Sequence, residues 1–106
     1  MDKVKVIEDI QNYLGVERMY GITPNIYEFF TGDNYSVRSI IKMHDTSEVV
    51  YIYSNRMDEG SAVSHVTYFC FTALDNKFDD FLKEVKEKIE RLRSKENAEY
   101  NQNSNT

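Results

Sequence analysis

The segment from residue 62 to residue 93 constrains the fold of this chain more than any other. Residues 62–72 have the composition of a β-strand, residues 73–76 form a short break, and residues 78–93 carry apolar side chains at steps of three and four. The six apolar positions that share one helix face are Phe78, Phe81, Leu82, Val85, Ile89 and Leu92. This spacing predicts an amphipathic α-helix, whose apolar face needs a partner surface that the preceding strands can supply.

A second helix is predicted near the N-terminus, from residue 2 or 3 to residue 14. Val6, Ile7, Ile10 and Leu14 share one face of it, while the polar residues lie on the other. Gly15 follows directly, and a glycine can take the left-handed conformation that ends a helix.

The region between the two helices predicts an antiparallel meander of three or four strands. The strands are expected at residues 26–31, 35–43, 48–54 and 62–72, with turn sequences at 31–34 and 44–47 and a polar loop at 55–61. Residues 17–25 are interpreted as a connector that lies against the core. In residues 35–43, Tyr35, Val37, Ser39, Ile41 and Met43 face one way, which indicates a sheet with one wet face. The predicted fold is therefore α+β, with both helices on one face of the sheet.

The length of 106 residues predicts one domain, which we place at residues 1–94. Residues 95–106 are almost wholly polar and are predicted to form a disordered tail. The sequence has no apolar run long enough to cross a bilayer, and its first residues lack the apolar core of a signal peptide. These features predict a cytoplasmic protein with no membrane partner.

The net charge of −5 disfavours nucleic acid as a partner. Affinity for phosphate backbones comes mainly from lysine and arginine, and this chain contains no basic block. Acidity of this size favours solubility, and it also favours association with a basic partner.

The residue types that carry catalysis are sparse, so we expect no enzyme, no metal and no cofactor. Cys70 is the only cysteine, and His44 and His65 are the only histidines. His65 and Cys70 are five residues apart on one predicted strand, which places them on opposite faces and prevents a Cys–His pair. No glycine-rich phosphate loop and no calcium-loop spacing occurs in the sequence.

The aromatic residues are more informative, because both faces of the predicted central hairpin carry large rings. Tyr51, Tyr53 and Tyr68 are our candidate anchors for a partner, and Asp58 and Glu59 are the candidate acidic rim. Tyrosine is enriched where proteins bind proteins. The competing interpretation is that one set of rings fills the core and the tyrosines cover a small satellite cluster with their hydroxyls in water.

These observations favour a small, acidic, non-enzymatic module that occupies a surface of another protein. In composition (small, acidic, aromatic, rich in Asn, Lys, Tyr and Ile) the chain resembles the small inhibitors that phages and mobile elements make against host proteins. The alternative is a domain that binds a small molecule or nucleotide in a Tyr-lined pocket between sheet and helices. A third reading, a homodimer formed through Ile89 and Leu92, also remains open.

Overall fold

The computed structural model describes residues 1–59 and 65–104, and for residue 59 and residues 95–104 it describes the backbone only. The N-terminal helix α1 (Lys3–Leu14) is confirmed. Asp2 caps it by accepting a hydrogen bond from the Lys5 N–H at 3.2 Å. Gly15 ends it at φ +66°, and the Gly15 N–H donates to a carbonyl of the last turn. Both ends of α1 are thus specified locally.

The sheet is an antiparallel meander of five strands whose spatial order equals the chain order. The strands are β1 (Tyr20–Thr23), β2 (Ile26–Thr31), β3 (Val37–His44), β4 (Val49–Arg56) and β5 (His65–Cys70). The predicted meander is therefore confirmed, but the predicted count of three or four strands is wrong. The additional strand, β1, lies in the segment that the sequence suggested was a connector.

Strand β1 escaped prediction because the usual strand signal is missing from it. All four of its residues are exposed, so burial imposes no alternation on them. It contains Gly21 and is followed at once by Pro24, and both residue types normally argue against a strand. The pairing with β2 is antiparallel, with an irregular register between Gly21 and Thr23, as is common at a sheet edge.

The other strand boundaries agree with the predictions in part. Strand β2 has the predicted bounds, β4 continues two residues further to Arg56, and β5 ends two residues earlier than predicted. Residues 62–64 of the predicted last strand lie outside the described residues. Strand β3 begins at Val37 because a 3-10 turn, Asp33–Tyr35, precedes it. Tyr35 is consequently 73% exposed and does not share the buried face of Val37, which corrects our expectation.

The C-terminal helix α2 (Phe78–Ser104) carries the predicted apolar face. Five of the six positions are buried, namely Phe81, Leu82, Val85, Ile89 and Leu92, and Phe78 packs against the core at its edge. The backbone is helical beyond residue 94 as well. The division into a domain at residues 1–94 and a disordered tail at residues 95–106 stays a prediction.

Both helices pack on one face of the sheet, which we call the covered face. The core joins α1 and α2 to alternate residues of β2 to β5: Phe29, Ile41, Met43, Val50, Ile52 and Phe69. The opposite face, which we call the open face, carries the intervening residues of the same strands. Burial alternates strictly in β4, where Ile52 is buried and its neighbours Tyr51 and Tyr53 are half-buried.

Three buried polar side chains on the covered face, Ser39, Ser54 and Arg56, have hydrogen-bond partners. The hydroxyls of Ser39 and Ser54 lie 2.7 Å apart across β3 and β4. The guanidinium of Arg56, only 3% exposed, donates to both carboxylate oxygens of Asp58 at 3.0 and 2.6 Å and to the Leu92 carbonyl of α2 at 3.0 Å. A buried charge needs such partners, so this contact ties the end of β4 to α2.

Candidate partner-binding surface

The open face holds the three tyrosines that the sequence analysis selected as anchors. Strand pairing places Lys42, Tyr51 and Tyr68 in one row across β3, β4 and β5, and Ile40, Tyr53 and Val66 in the next. Side chains of directly paired residues project to the same face of a sheet. The anchors therefore lie together, on the side of the sheet away from both helices.

The Tyr51 ring packs against the other two rings, and we call the three the tyrosine cluster (Tyr51, Tyr53 and Tyr68). Tyr51 stacks on Tyr53 with ring centroids 6.2 Å apart, and Tyr51 lies 6.0 Å from Tyr68. His44 meets Tyr51 edge-on at 5.4 Å, and the Lys42 ammonium lies 5.4 Å from the Tyr53 ring centroid. Such contacts orient the rings in advance, which lowers the entropy lost when a partner covers them.

Exposure within the tyrosine cluster is uneven. Tyr68 is 65% exposed, whereas Tyr51 and Tyr53 are half-buried by their neighbours. Val66, beside Tyr68 on the same strand, is also exposed. The cluster thus presents a broad apolar surface with phenol hydroxyls, a combination suited to a protein interface.

Of the two acidic residues predicted as the rim, only Asp58 has a described side chain, and it forms an ion pair. Asp58 follows β4 and binds Arg56, whose guanidinium is buried on the covered face. Its position is explained by neutralising that buried charge. Glu59 ends the short 3-10 turn after β4, and its side chain lies outside the described part of the structure. The structure thus brings the three tyrosines together and pairs Asp58 with Arg56.

A second aromatic group lies at the β1 edge of the open face, and sequence analysis missed it. Tyr20, Phe30 and Tyr35 line a recess of about 460 Å³ together with Glu17 and Arg18, and we call this recess the edge cleft. The alternation within β2 was a usable signal for Phe30. Tyr20 was hidden in the supposed connector, and Tyr35 was assigned to the wrong face.

The cleft between β5 and the start of α2 bears on the alternative of a small-ligand pocket. It encloses about 340 Å³ and is lined by Tyr68, Asp75, Lys77 and Asp80 among others, but by neither Tyr51 nor Tyr53. Beside it the Lys88 ammonium donates to the Val66 carbonyl at 2.7 Å. A lysine in this position protects the outer edge of a sheet from further strand pairing.

The cysteine and the histidines do not form a catalytic pair. Within β5, His65 pairs with Ser54 of the covered face and Cys70 pairs with Val49 of the open face, as expected for opposite sides of a strand. The Thr72 hydroxyl lies 3.1 Å from Cys70 Sγ and can donate to the thiolate, which lowers the pKa of Cys70. His44 contacts Tyr51 instead.

The described side chains, those of residues 1–58 and 65–94, include no group of three His, Cys, Asp or Glu that converges as a metal site would require. No helix in that part of the chain is both long enough and apolar enough to cross a membrane. Comparisons with protein-family models, with curated proteins and with solved structures yield no match for this chain.

Proposed function

We propose that this protein is a non-enzymatic binding module that attaches to another protein through the open face, with the tyrosine cluster as its anchor. The observation that carries the proposal is the grouping of Tyr51, Tyr53 and Tyr68 on the sheet face that neither helix covers. Pre-oriented tyrosines at the centre of a surface are typical binding hot spots. Asp58 is no longer part of the proposed surface, because its carboxylate serves Arg56.

Composition supports a more specific form of this proposal. A small acidic chain rich in aromatic residues resembles the inhibitors that phages and mobile elements direct against host proteins. We propose that this chain acts in the cytoplasm in the same way, by covering a functional surface of its target. Its net charge of −5 favours a basic target by steering the encounter.

The test is affinity capture from a lysate of the natural host, with three forms of the tagged protein compared side by side. We expect wild type to retain one host protein stoichiometrically and the double variant Tyr51→Ala/Tyr53→Ala to lose it. The matched control is Tyr13→Ala, because Tyr13 is also partly exposed and lies 5.8 Å from a lysine ammonium, but on α1.

The double variant should remain folded, since the rings it removes lie outside the core. We expect its free energy of unfolding to fall by less than about 2 kcal/mol. Equal capture by the double variant would exclude the tyrosine cluster as the anchor. Loss of folding in the double variant would show that the rings belong to the core, and it would defeat the proposal as well.

The second candidate function, small-ligand binding, is supported by the cleft between β5 and α2. Its polar lining, with Asp75, Lys77 and Asp80, suits a charged metabolite or nucleotide. A thermal-shift panel distinguishes the two functions. Stabilisation by several degrees with one compound, lost in Asp80→Asn and kept in Tyr53→Ala, would favour the small-ligand function.

A further inference from the structure

The edge cleft contains three aromatic rings, and the two tyrosine rings are steeply inclined to the Phe30 ring. Phe30 stands in the middle, with the Tyr20 ring centroid at 6.3 Å and the Tyr35 ring centroid at 6.4 Å. Both tyrosine rings are nearly perpendicular to the Phe30 ring, at 74° and 80°. A ligand bound in this recess would therefore contact aromatic rings of more than one orientation.

The backbone that holds Tyr35 in this position is strained. Asn34 and Tyr35 both have left-handed φ angles, 56° and 57°. Asparagine tolerates that conformation, but a bulky aromatic residue rarely adopts it. Core packing does not account for the strain, because Tyr35 is mostly exposed. Backbone outliers of this kind cluster at binding sites, where holding a side chain in position outweighs the energetic cost of the strained backbone.

We propose that the edge cleft binds an alkylated ammonium group, such as a methylated lysine side chain or a free quaternary amine. Aromatic faces carry negative quadrupole charge, and several faces around one recess attract an organic cation. Alkylation matters because an unmodified ammonium is strongly hydrated and loses more on leaving water.

The charged residues at the mouth of the edge cleft give the proposal a directional test. Glu17 and Arg18 line the same recess with opposite charges. Glu17 attracts a bound cation and Arg18 repels it, so removing one charge should weaken binding and removing the other should strengthen it. A recess that merely shelters apolar groups would respond to neither change.

The edge cleft is distinct from the tyrosine cluster. Glu28 pairs directly with Tyr20, Arg38 pairs directly with Phe30, and the two form an ion pair at 2.6 Å. Strand β3 lies between these cleft strands and β4, which carries Tyr51 and Tyr53. Ligand binding at the edge cleft can therefore be tested independently of partner binding at the tyrosine cluster.

The experiment is an NMR titration of the full chain with choline and with its neutral isostere 3,3-dimethylbutan-1-ol. We expect saturable shifts of the Tyr20, Phe30 and Tyr35 ring protons with choline, and binding of the isostere weaker by about threefold to thirtyfold. Equal affinity for the two compounds would overturn the proposal, since the positive charge would then contribute nothing.

Variants locate the site on the molecule. Tyr20→Leu and Tyr35→Leu replace exposed rings and so leave the fold intact, and each should abolish choline binding, whereas Tyr13→Leu on α1 should not. Glu17→Gln should weaken binding and Arg18→Gln should strengthen it. Binding that survives both ring variants, or that ignores both charge variants, would contradict the assignment.

A final pair of titrations identifies the source of the cation. Peptides that differ only in carrying trimethyllysine or lysine are compared with choline. Tighter binding of the trimethyllysine peptide assigns the cleft to a modified partner protein, and tighter binding of choline assigns it to a free amine. Binding of the unmodified peptide as tight as that of the trimethylated one would overturn the preference for alkylation.

Discussion

The two faces of the sheet are made by the same strands but use their aromatic residues differently. On the covered face, Phe29 and Phe69 are almost fully buried beneath the helices. On the open face, Tyr51 packs against Tyr53 and Tyr68, and all three side chains remain partly exposed. A phenylalanine ring has no polar atom to satisfy, whereas a tyrosine hydroxyl needs water or a partner. The two phenylalanines thus belong to the core, and the three tyrosines lie outside it.

The polar groups of the two faces also differ in burial. Ser39, Ser54 and Arg56 are buried on the covered face, and each is bound to another protein group. On the open face, Lys42 leans over Tyr53 while remaining exposed. The polar contacts on the covered face therefore satisfy buried groups, whereas the Lys42 contact on the open face lies in solvent.

The largest effect is expected where the covered face meets α2. Leu82→Asp places a carboxylate among buried apolar side chains, because Leu82 is in the core cluster. The expected loss exceeds about 4 kcal/mol, most of the stability of an ordinary domain, so the variant should not fold. Circular dichroism during thermal unfolding measures this. A cooperative melt near the wild-type temperature would refute the packing of α2 on the sheet.

A smaller effect is expected for Asp58→Ala, which removes a partner of a buried guanidinium. We expect a loss of about 1–3 kcal/mol in urea unfolding, because the guanidinium of Arg56 is buried and would lose two charge-assisted hydrogen bonds. Asp45→Ala is the matched control. Asp45 is equally exposed, but it binds Lys3 at the surface, and its loss should cost less than about 1 kcal/mol. Equal losses in the two variants would show that burial of Arg56 adds nothing.

These contrasts also show what the sequence could and could not predict. Helices α1 and α2 and strand β2 were predictable because caps and apolar periodicity act locally. The alternation in β3 and β4 correctly separated the two faces. Strand β1 was not predictable, since an exposed edge strand with Gly21 and Pro24 nearby has neither burial pattern nor favourable composition.

For the candidate site, periodicity predicted which tyrosines share a face but not what the charged residues contact. In the sequence Asp58 is a loop carboxylate beside a polar segment. Only the structure shows that Arg56 is buried against the Leu92 carbonyl of α2 and that Asp58 balances its charge. Tyr35 was placed on the wrong face because two left-handed residues break the strand alternation. A single sequence gives no direct signal for contacts between residues far apart in the chain. It also gives little signal for left-handed backbone in residues other than glycine.

The smallest effect is expected for Cys70, which lies on the open side of β5. The measured quantity is the reactivity of its thiol, and not the stability of the fold. Since the Thr72 hydroxyl can donate to the sulfur and stabilise the thiolate, the pKa of Cys70 lies below that of an ordinary thiol. Alkylation by iodoacetamide should therefore accelerate at a lower pH than for a free thiol. Thr72→Val should move the profile to higher pH. An unchanged profile would show that the hydrogen bond does not hold the thiolate.

The division between the two faces is tested most directly by two substitutions at adjacent positions of β4. Ile52 is buried on the covered face, and Tyr53 lies next to it on the open face. Equilibrium unfolding in urea should show a loss of about 2–5 kcal/mol for Ile52→Ala and less than about 1.5 kcal/mol for Tyr53→Ala. A loss for Tyr53→Ala as large as that for Ile52→Ala would show that the open face is a second core. It would then be unavailable to a partner, in contradiction to the proposed function.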